Sequence, residues 1–334
     1  MATFLYLFSF PYRLCSLLKS LLYQKKIFKS KKSPLPVISV GNISFGGTEK
    51  TPLCEHLLSF LERKGLKPAY ISRGYKGKWE KMGGVLSEGR VLLGNWRDSG
   101  DEPFMVAKNN PGVGVFVGKK RFVSCLKAKA LGFNIAILDD GFQHLKLSRH
   151  LDIVLYSPSK KLPLRECPSS LRRADIVLVK GDMASQLKTS LKSSLTPVSI
   201  FRYSVVPAGF KRVGFSKTIS AQELQKMRSI GFCGIAHPER FLSTLLSQGI
   251  KIMFLFKFPD HYSYPPSSIS KIIAKYKELK AEAIITTKKD ALKIEENEAL
   301  KEIPTYFLQI ELSLEEGFYQ RIDSFLKEKN LIEP

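Results

Sequence analysis

The stretch VISVGNISFGGTEKTP, Val37–Pro52, decides the fold. A β-branched run (Val37, Ile38, Val40) leads into glycines and then into Lys50-Thr51 at the start of a helical pattern. Strand, glycine-rich loop and helix, in that order, are the context of a phosphate-cradling loop. Glycines let successive backbone N–H groups turn inward on a phosphate, and the helix N-terminus adds its partial positive charge. The candidate loop is Ser44, Phe45, Gly46, Gly47, Thr48, Glu49, Lys50 and Thr51. Lys50 can reach the β- and γ-phosphates of ATP, and the Thr51 hydroxyl can ligate Mg²⁺. The pattern G-x-x-x-x-G-K-[ST] is met imperfectly: Ser44 holds its first position, and Glu49 precedes the lysine. The bland alternative is a tight glycine turn, and a second motif weighs against it.

That motif is NIAILDDGFQH, Asn134–His144. Ile135, Ala136, Ile137 and Leu138 read as a buried parallel strand with Asp139 at its carboxyl edge. Ligands of nucleotide-binding sheets gather outside the carboxyl ends of the strands. An acid there can hold Mg²⁺, directly or through water, opposite the loop threonine. Asp140 taken alone would suit a surface turn.

At this point the chain resembles the tetraacyldisaccharide 4′-kinase family, which phosphorylates a membrane-embedded acylated glucosamine disaccharide in lipid A biosynthesis. The resemblance rests on blocks running nearly end to end. They are VGNISFGGTEKTP (40–52), ISRGYKG (71–77), SGDEP (99–103), VGKKR (117–121), LDDGFQH (138–144), LRE with SLRRAD (164–175), GFCGIAHPERF (231–241), FPDHY (258–262) and ITTKKDA (285–291). Glu49 is the main departure, because the family loop has glycine there. The resemblance implies an ATP- and Mg²⁺-dependent kinase acting on the 4′-hydroxyl of a tetraacyldisaccharide 1-phosphate.

Composition asks for an anionic partner. With 53 Lys and Arg against 30 Asp and Glu, the 334-residue chain carries a formal charge of +23. No acid occurs before Glu49, while Arg13, Lys19, Lys25, Lys26, Lys29, Lys31 and Lys32 crowd the first part of the chain. There Leu14, Leu17, Leu18, Leu21 and Leu22 follow helical spacing, with Arg13, Ser16, Lys19 and Ser20 opposite. Phe4, Leu5, Leu7, Phe8 and Phe10 precede them, but Pro11 and Arg13 cut the apolar run short of the ~18 residues that a spanning helix needs. A signal peptide is disfavoured, since positive charge follows the apolar part and no small-residue cleavage site appears. The pattern suits a helix lying in the interface of an anionic bilayer; the alternative is a helix packed on its own domain. Five scattered cysteines without a C-x-x-C pair argue for a reducing compartment and against a disulfide framework or zinc site. The expected location is peripheral, on the cytoplasmic face of the inner membrane of a Gram-negative-type cell. His56 and His150 have no distinctive setting.

From Val37 onward strand-like runs alternate with helical patterns, which predicts an α/β fold: a doubly wound, mostly parallel sheet with a second, smaller α/β domain. The expected parts are a basic membrane-surface segment (1–32), a nucleotide-loop kinase domain (33–200), a β-ribbon linker (201–213) and the smaller domain (214–334). Tyr75–Asp98 reads as an irregular excursion or a small hairpin, and the last helix, near Glu315–Lys329, suits either domain.

Phosphoryl transfer needs charge neutralisation, in-line positioning and a destination for the acceptor proton. Lys50, Mg²⁺ on Thr51 and Asp139, and a cation such as Arg121 would supply the first; the bland reading of Arg121 is a solvated surface arginine. Gln143 and His144 can orient water or phosphate, or His144 can be core. Asp101 after Ser99-Gly100 reads from sequence alone as a helix N-cap. The resemblance implies instead that Asp101 is the catalytic base with His261 beside it, Glu102 being a second candidate around the metal. Asp140, Tyr75, Arg165 and Glu166 are further candidates for substrate or transition-state contacts; Arg165, Glu166, Arg172 and Arg173 could meet the substrate phosphate or the lipid surface. Two rival functions remain: a membrane-associated ATPase without a sugar acceptor, and a basic nucleic-acid-binding protein with a vestigial loop. The second lacks any recognition module. No nucleic acid and no obligate protein partner are expected.

Overall fold

The computed structural model describes residues 15–44, 49–157, 164–181, 198–215 and 217–333. They form two compact units, 1–204 with 312–334, and 205–311. The fold is α/β, as the alternating pattern predicts.

In the first unit the buried runs of the sequence become parallel strands, joined at one edge by an antiparallel one. They are β1 (Val37–Asn42), β2 (Pro68–Ser72), β3 (Gly84–Glu88), β4 (Gly114–Val117), β5 (Ile135–Asp139), β6 (Leu151–Tyr156), β7 (Ile176–Lys180) and the start of β8 (Ser199–Arg212). Their order is β8-β7-β6-β1-β5-β2-β4-β3, with only β3 antiparallel to its neighbour. β1 and β2 are buried along their whole length, which is why they read as continuous apolar runs instead of alternating ones. Between β1 and its neighbours β5 and β6 the chain reverses its direction of winding, so the loops after β1 and β5 open onto a topological switch point.

Helices cover the sheet. α1 crosses 15–24, α2 is Lys50–Arg63, α3 Trp79–Met82, α4 Trp96–Ser99, α5 Asp101–Asn109 and α6 Arg121–Ala130. α2 turns Leu53, Cys54, Leu57, Leu58 and Leu61 inward at helical spacing. The helix Glu316–Glu328 belongs to this unit and buries Phe318, Ile322, Phe325 and Leu326. Tyr75–Asp98, read as an excursion or hairpin, contains α3, the edge strand β3 and most of α4.

α1 presents an inverted surface. Leu17, Leu18 and Leu21 are exposed, whereas Ser20 is buried and Lys19 donates from Nζ to the Gln143 carbonyl at 3.0 Å. The helix thus docks on its unit by its polar side and leaves its leucines outward. The expectations for Met1–Leu14, including Phe4, Leu5, Leu7, Phe8, Phe10, Arg13 and Leu14, concern positions outside the described residues. No helix among the described residues is long and apolar enough to cross a membrane.

The second unit is a parallel sheet in the order β11-β10-β12-β13, from β10 (Ser229–Cys233), β11 (Ile252–Lys257), β12 (Ala283–Thr287) and β13 (Thr305–Leu314). The segment read as a ribbon at 201–213 lies in β8, whose Phe210 and Lys211 pair antiparallel with β9 (Thr218–Ile219). Phe232, Ile269, Ile272 and Ile284 pack one face of this sheet; Phe210, Cys233, Leu245 and Ile285 pack the other.

Candidate active site

The loop between β1 and α2 brings Lys50 to the first position of the helix. Its Nζ lies 3.4 Å from Asp140 Oδ1, and Asp140 also accepts from Arg165, whose Nη1 donates to both carboxylate oxygens at 2.9 and 3.0 Å. Burial alone would raise the Asp140 carboxyl, but Lys50 and Arg165 hold it below the usual range. Asp140 is therefore an ionised bridge between two cations, and not the acid of a free surface turn. Thr51 is buried at the second helical position. Ser44 is buried and bridges to Leu164, while Phe45, Gly46, Gly47 and Thr48 lie outside the described residues.

Asp139 ends β5 as predicted and is buried. Tyr70 donates from its hydroxyl to Oδ2 at 2.7 Å, and Cys54 Sγ lies 4.0 Å from Oδ1. Burial, with Glu102 and Asp140 nearby, lifts this carboxyl to about 6; Lys50 and Tyr70 pull it back only in part. A buried carboxylate destabilised in this way, by desolvation first and by neighbouring acids second, is one that a divalent cation can stabilise in its charged form. The donors fit Mg²⁺, which takes one or two carboxylates and fills its other positions with water and phosphate.

Arg121 is not a solvated surface residue. It is buried, its Nη1 donates to the carbonyls of Gly118 (3.1 Å) and Lys119 (3.5 Å), and its Nε has no hydrogen-bond partner. Burial lowers its pKa, while Asp139 and Asp140 act in the opposite direction, so it stands within electrostatic reach of both acids. An arginine does not lose its proton in proteins, so this is a fixed buried charge with an orphaned donor.

Asp101 is not a helix cap. Gly100 occupies the N-cap of α5 at φ 87°, and Asp101 is the first helical residue, buried, with Glu102 beside it. The turn exists because two glycine-bearing segments touch. A Cβ on Gly74 would sit 2.1 Å from Val117 Cγ1 and 2.6 Å from the Ser99 carbonyl. That close approach lays the ISRGYKG block against SGDEP, and it leaves Tyr75 half in solvent.

Gln143 Nε2 donates to the Asn42 carbonyl at 2.9 Å, tying the loop after β5 to the end of β1. His144 is pushed down to about 4 by burial and by Arg121, Lys19, Arg149 and Lys146, so it is neutral at physiological pH. Glu166 is buried and paired with Arg173, whose guanidinium lies 4.4 Å from the Phe142 ring centroid. His261 belongs to the second unit, in the loop after β11, with a left-handed backbone at φ 66°. His150 and His56 are structural: Nδ1 of the first accepts from the Val37 N–H at 3.1 Å, and Nε2 of the second lies 2.9 Å from the Tyr319 hydroxyl.

Sequence reasoning missed Tyr70, Cys54 and Lys180. Tyr70 sits inside an apolar strand with no pattern to mark its hydroxyl, and Lys180 Nζ meets Glu49 Oε1 at 2.9 Å only through the adjacency of β7 and the loop.

A family model described as tetraacyldisaccharide-1-P 4′-kinase matches residues 1–327. The chain belongs to the tetraacyldisaccharide-1-P 4′-kinase family. Among its relatives, the tetraacyldisaccharide 4′-kinase of Syntrophus aciditrophicus is 36% identical, covering 93% of this chain and 89% of that protein. That of Desulfotalea psychrophila is 37% identical over 90% and 91%. The crystal structure of LpxK from Aquifex aeolicus in complex with ATP superposes with a TM-score of 0.76 at 29% identity, covering 98% of each chain. Membership of the 4′-kinase family covers both units, and so includes the loop that carries His261 as well as the nucleotide loop.

Proposed function

We infer that this chain is an ATP-dependent kinase that transfers the γ-phosphate to the 4′-hydroxyl of a tetraacyldisaccharide 1-phosphate. The observation that carries it is Lys50 at the head of α2, facing the acids at the end of β5. This is the charge arrangement that in-line phosphoryl transfer needs. Lys50 and Arg121 neutralise the transferring group, Arg121 with the donor that the fold leaves unmatched. Thr51 and Asp139, with Glu102 nearby, would hold Mg²⁺, which would supply positive charge to offset that of the phosphates.

The acceptor proton goes to Asp101, with His261 as the group that orients this base. As the 4′-oxygen bonds to phosphorus and ADP departs, its proton passes to the carboxylate. A carboxylate is a weak base and accepts it late, when the oxygen has become acidic.

The acceptor's acyl chains favour the bilayer by about 0.8 kcal/mol per CH₂, so the enzyme works at the membrane surface. The outward leucines of α1, followed by Lys25, Lys26, Lys29, Lys31 and Lys32, suit peripheral attachment to anionic lipid on the cytoplasmic face of the inner membrane. Incubation with labelled ATP and the detergent-dispersed disaccharide 1-phosphate should label the lipid. Release of inorganic phosphate without lipid labelling would instead mark an ATPase.

A further inference from the structure

The second unit has its own switch point. β10 lies between β11 and β12, so its crossovers leave in opposite directions and the loops after β10 and β12 diverge there. Gly234, immediately after β10, is held from both sides. Its N–H donates to Asp290 Oδ2 at 3.0 Å, and its carbonyl accepts the His261 N–H at 3.3 Å. Asp290 is fully buried and also accepts from Thr287 Oγ1 at 2.6 Å. A Cβ on Gly234 would lie 2.9 Å from the Tyr264 hydroxyl and 3.2 Å from both Asp290 Oδ1 and the Pro259 carbonyl, so this approach requires glycine.

The loop so gripped is strained. His261 at φ 66° and Tyr264 at φ 53° are both left-handed. Each costs on the order of 1–2 kcal/mol, and such residues persist where their surroundings over-determine them. The imidazole is gripped too: Lys289 Nζ lies 3.3 Å from His261 Nε2 and 3.2 Å from Asp260 Oδ1. Asp260 Oδ2 stands 3.7 Å from the same ring nitrogen, beyond hydrogen-bond reach. An ammonium only donates, so Nε2 must accept.

We propose that Lys289 is a positioning residue for His261, holding the neutral imidazole as the Nδ1–H tautomer so that it meets its partner as a donor from Nδ1. Asp260 aims Lys289, and Asp290 with Gly234 sets the backbone from which the ring projects. The ITTKKDA block thus acts through His261. A histidine that donates from Nδ1 can orient a carboxylate base and leave its second oxygen to take the acceptor proton. The proposal rests on the role given above to His261.

Nitrogen-15 NMR of the full chain, labelled at histidine and held where imidazoles are neutral, reads the tautomer directly. The His261 signal is identified by its loss in His261→Gln. Wild type should show Nε2 unprotonated. Lys289→Met should move the ring toward Nε2–H and lower kcat by roughly 10–100-fold, by analogy with the partners that orient metal-bound histidines, with KM for ATP unchanged. Lys289→Arg should restore most of both. Asp260→Asn, at a partly exposed position, should give the same shift in smaller measure without disturbing the core. A wild-type Nε2–H form, or an unchanged kcat in Lys289→Met, would overturn the proposal. Normal turnover in His261→Ala would instead remove the catalytic role of His261, and the NMR signal would still decide whether Lys289 sets the tautomer.

Discussion

Glu49 and Lys180 form an ion pair at 2.9 Å across 131 positions, and Tyr203 adds its hydroxyl to the same carboxylate at 3.4 Å. The residue that departs from the family's glycine therefore turns its charge toward β7. It does so from a left-handed backbone, φ 53°, at the N-cap of α2. Glycine would relieve that backbone by about 1 kcal/mol. It would also lose a partly exposed ion pair worth up to about 1 kcal/mol and add freedom to the unfolded chain. These terms nearly cancel, so Glu49→Gly should leave Tm within a few degrees and change ATP affinity less than twofold to threefold. Lys180→Ala should raise KM for ATP more than Glu49→Gly does, because it leaves a carboxylate uncompensated beside Lys50. The double variant should return close to wild type. A double variant as impaired as Lys180→Ala would give Lys180 a role of its own at the nucleotide.

Asp139 makes the ligand-free protein sensitive to pH. Its carboxyl is lifted from 3.8 to about 6. An acid raised on folding adds stability below its unfolded pKa, and that contribution is lost as the pH climbs through about 6. At neutral pH Asp139→Asn should therefore stabilise the ligand-free protein, by on the order of 2 kcal/mol. The gain should vanish near pH 4, which thermal melts across pH would show. Binding of Mg²⁺ with ATP should release a proton near pH 6, measurable by calorimetry in buffers of different ionisation enthalpy. Equal proton release in Asp139→Asn would point to another group.

Under the roles proposed for Asp101 as base and His261 as the group that orients it, the two should act as a unit. Asp101→Ala should cut kcat by roughly 10²–10⁴, the range for general-base catalysis, with little change in ATP affinity. His261→Ala should lose as much or less, and the double variant far less than the product of the two. Lys50→Ala should differ by weakening nucleotide binding as well. Multiplicative losses for Asp101 and His261 would dissolve the pair.

Leu17→Glu with Leu21→Glu should release the protein from anionic vesicles and raise KM for the lipid acceptor. Both leucines are exposed, at 49% and 41%, so folding should be unaffected. Turnover on a soluble short-chain acceptor should change less. Vesicle binding that persists at low and high salt would exclude α1 as the membrane contact.

The sequence by itself determined the order of the elements and where Lys50, Thr51 and Asp139 fall within them. Strands buried on both faces must be apolar throughout, so β1, β2 and β5 were legible, as was Asp139 as the polar residue that ends such a run. The place of Lys50 and Thr51 at the head of α2 was legible from the strand, glycine-rich loop and helix order. Tertiary structure decided what pairs with what. Asp140 proved to be a bridge between Lys50 and Arg165, Arg121 a buried charge, and Glu49 the partner of Lys180. Each of these depends on loops from separate strands converging at one sheet edge, and strand order leaves no periodic trace in the chain. The N-cap expected of Asp101 failed for a local reason: Gly100, free to adopt φ 87°, took the cap and moved the acid into the first turn. Helical spacing showed that α1 has two faces. Only the packing of Lys19 and Ser20 against the body decided that the apolar face points outward.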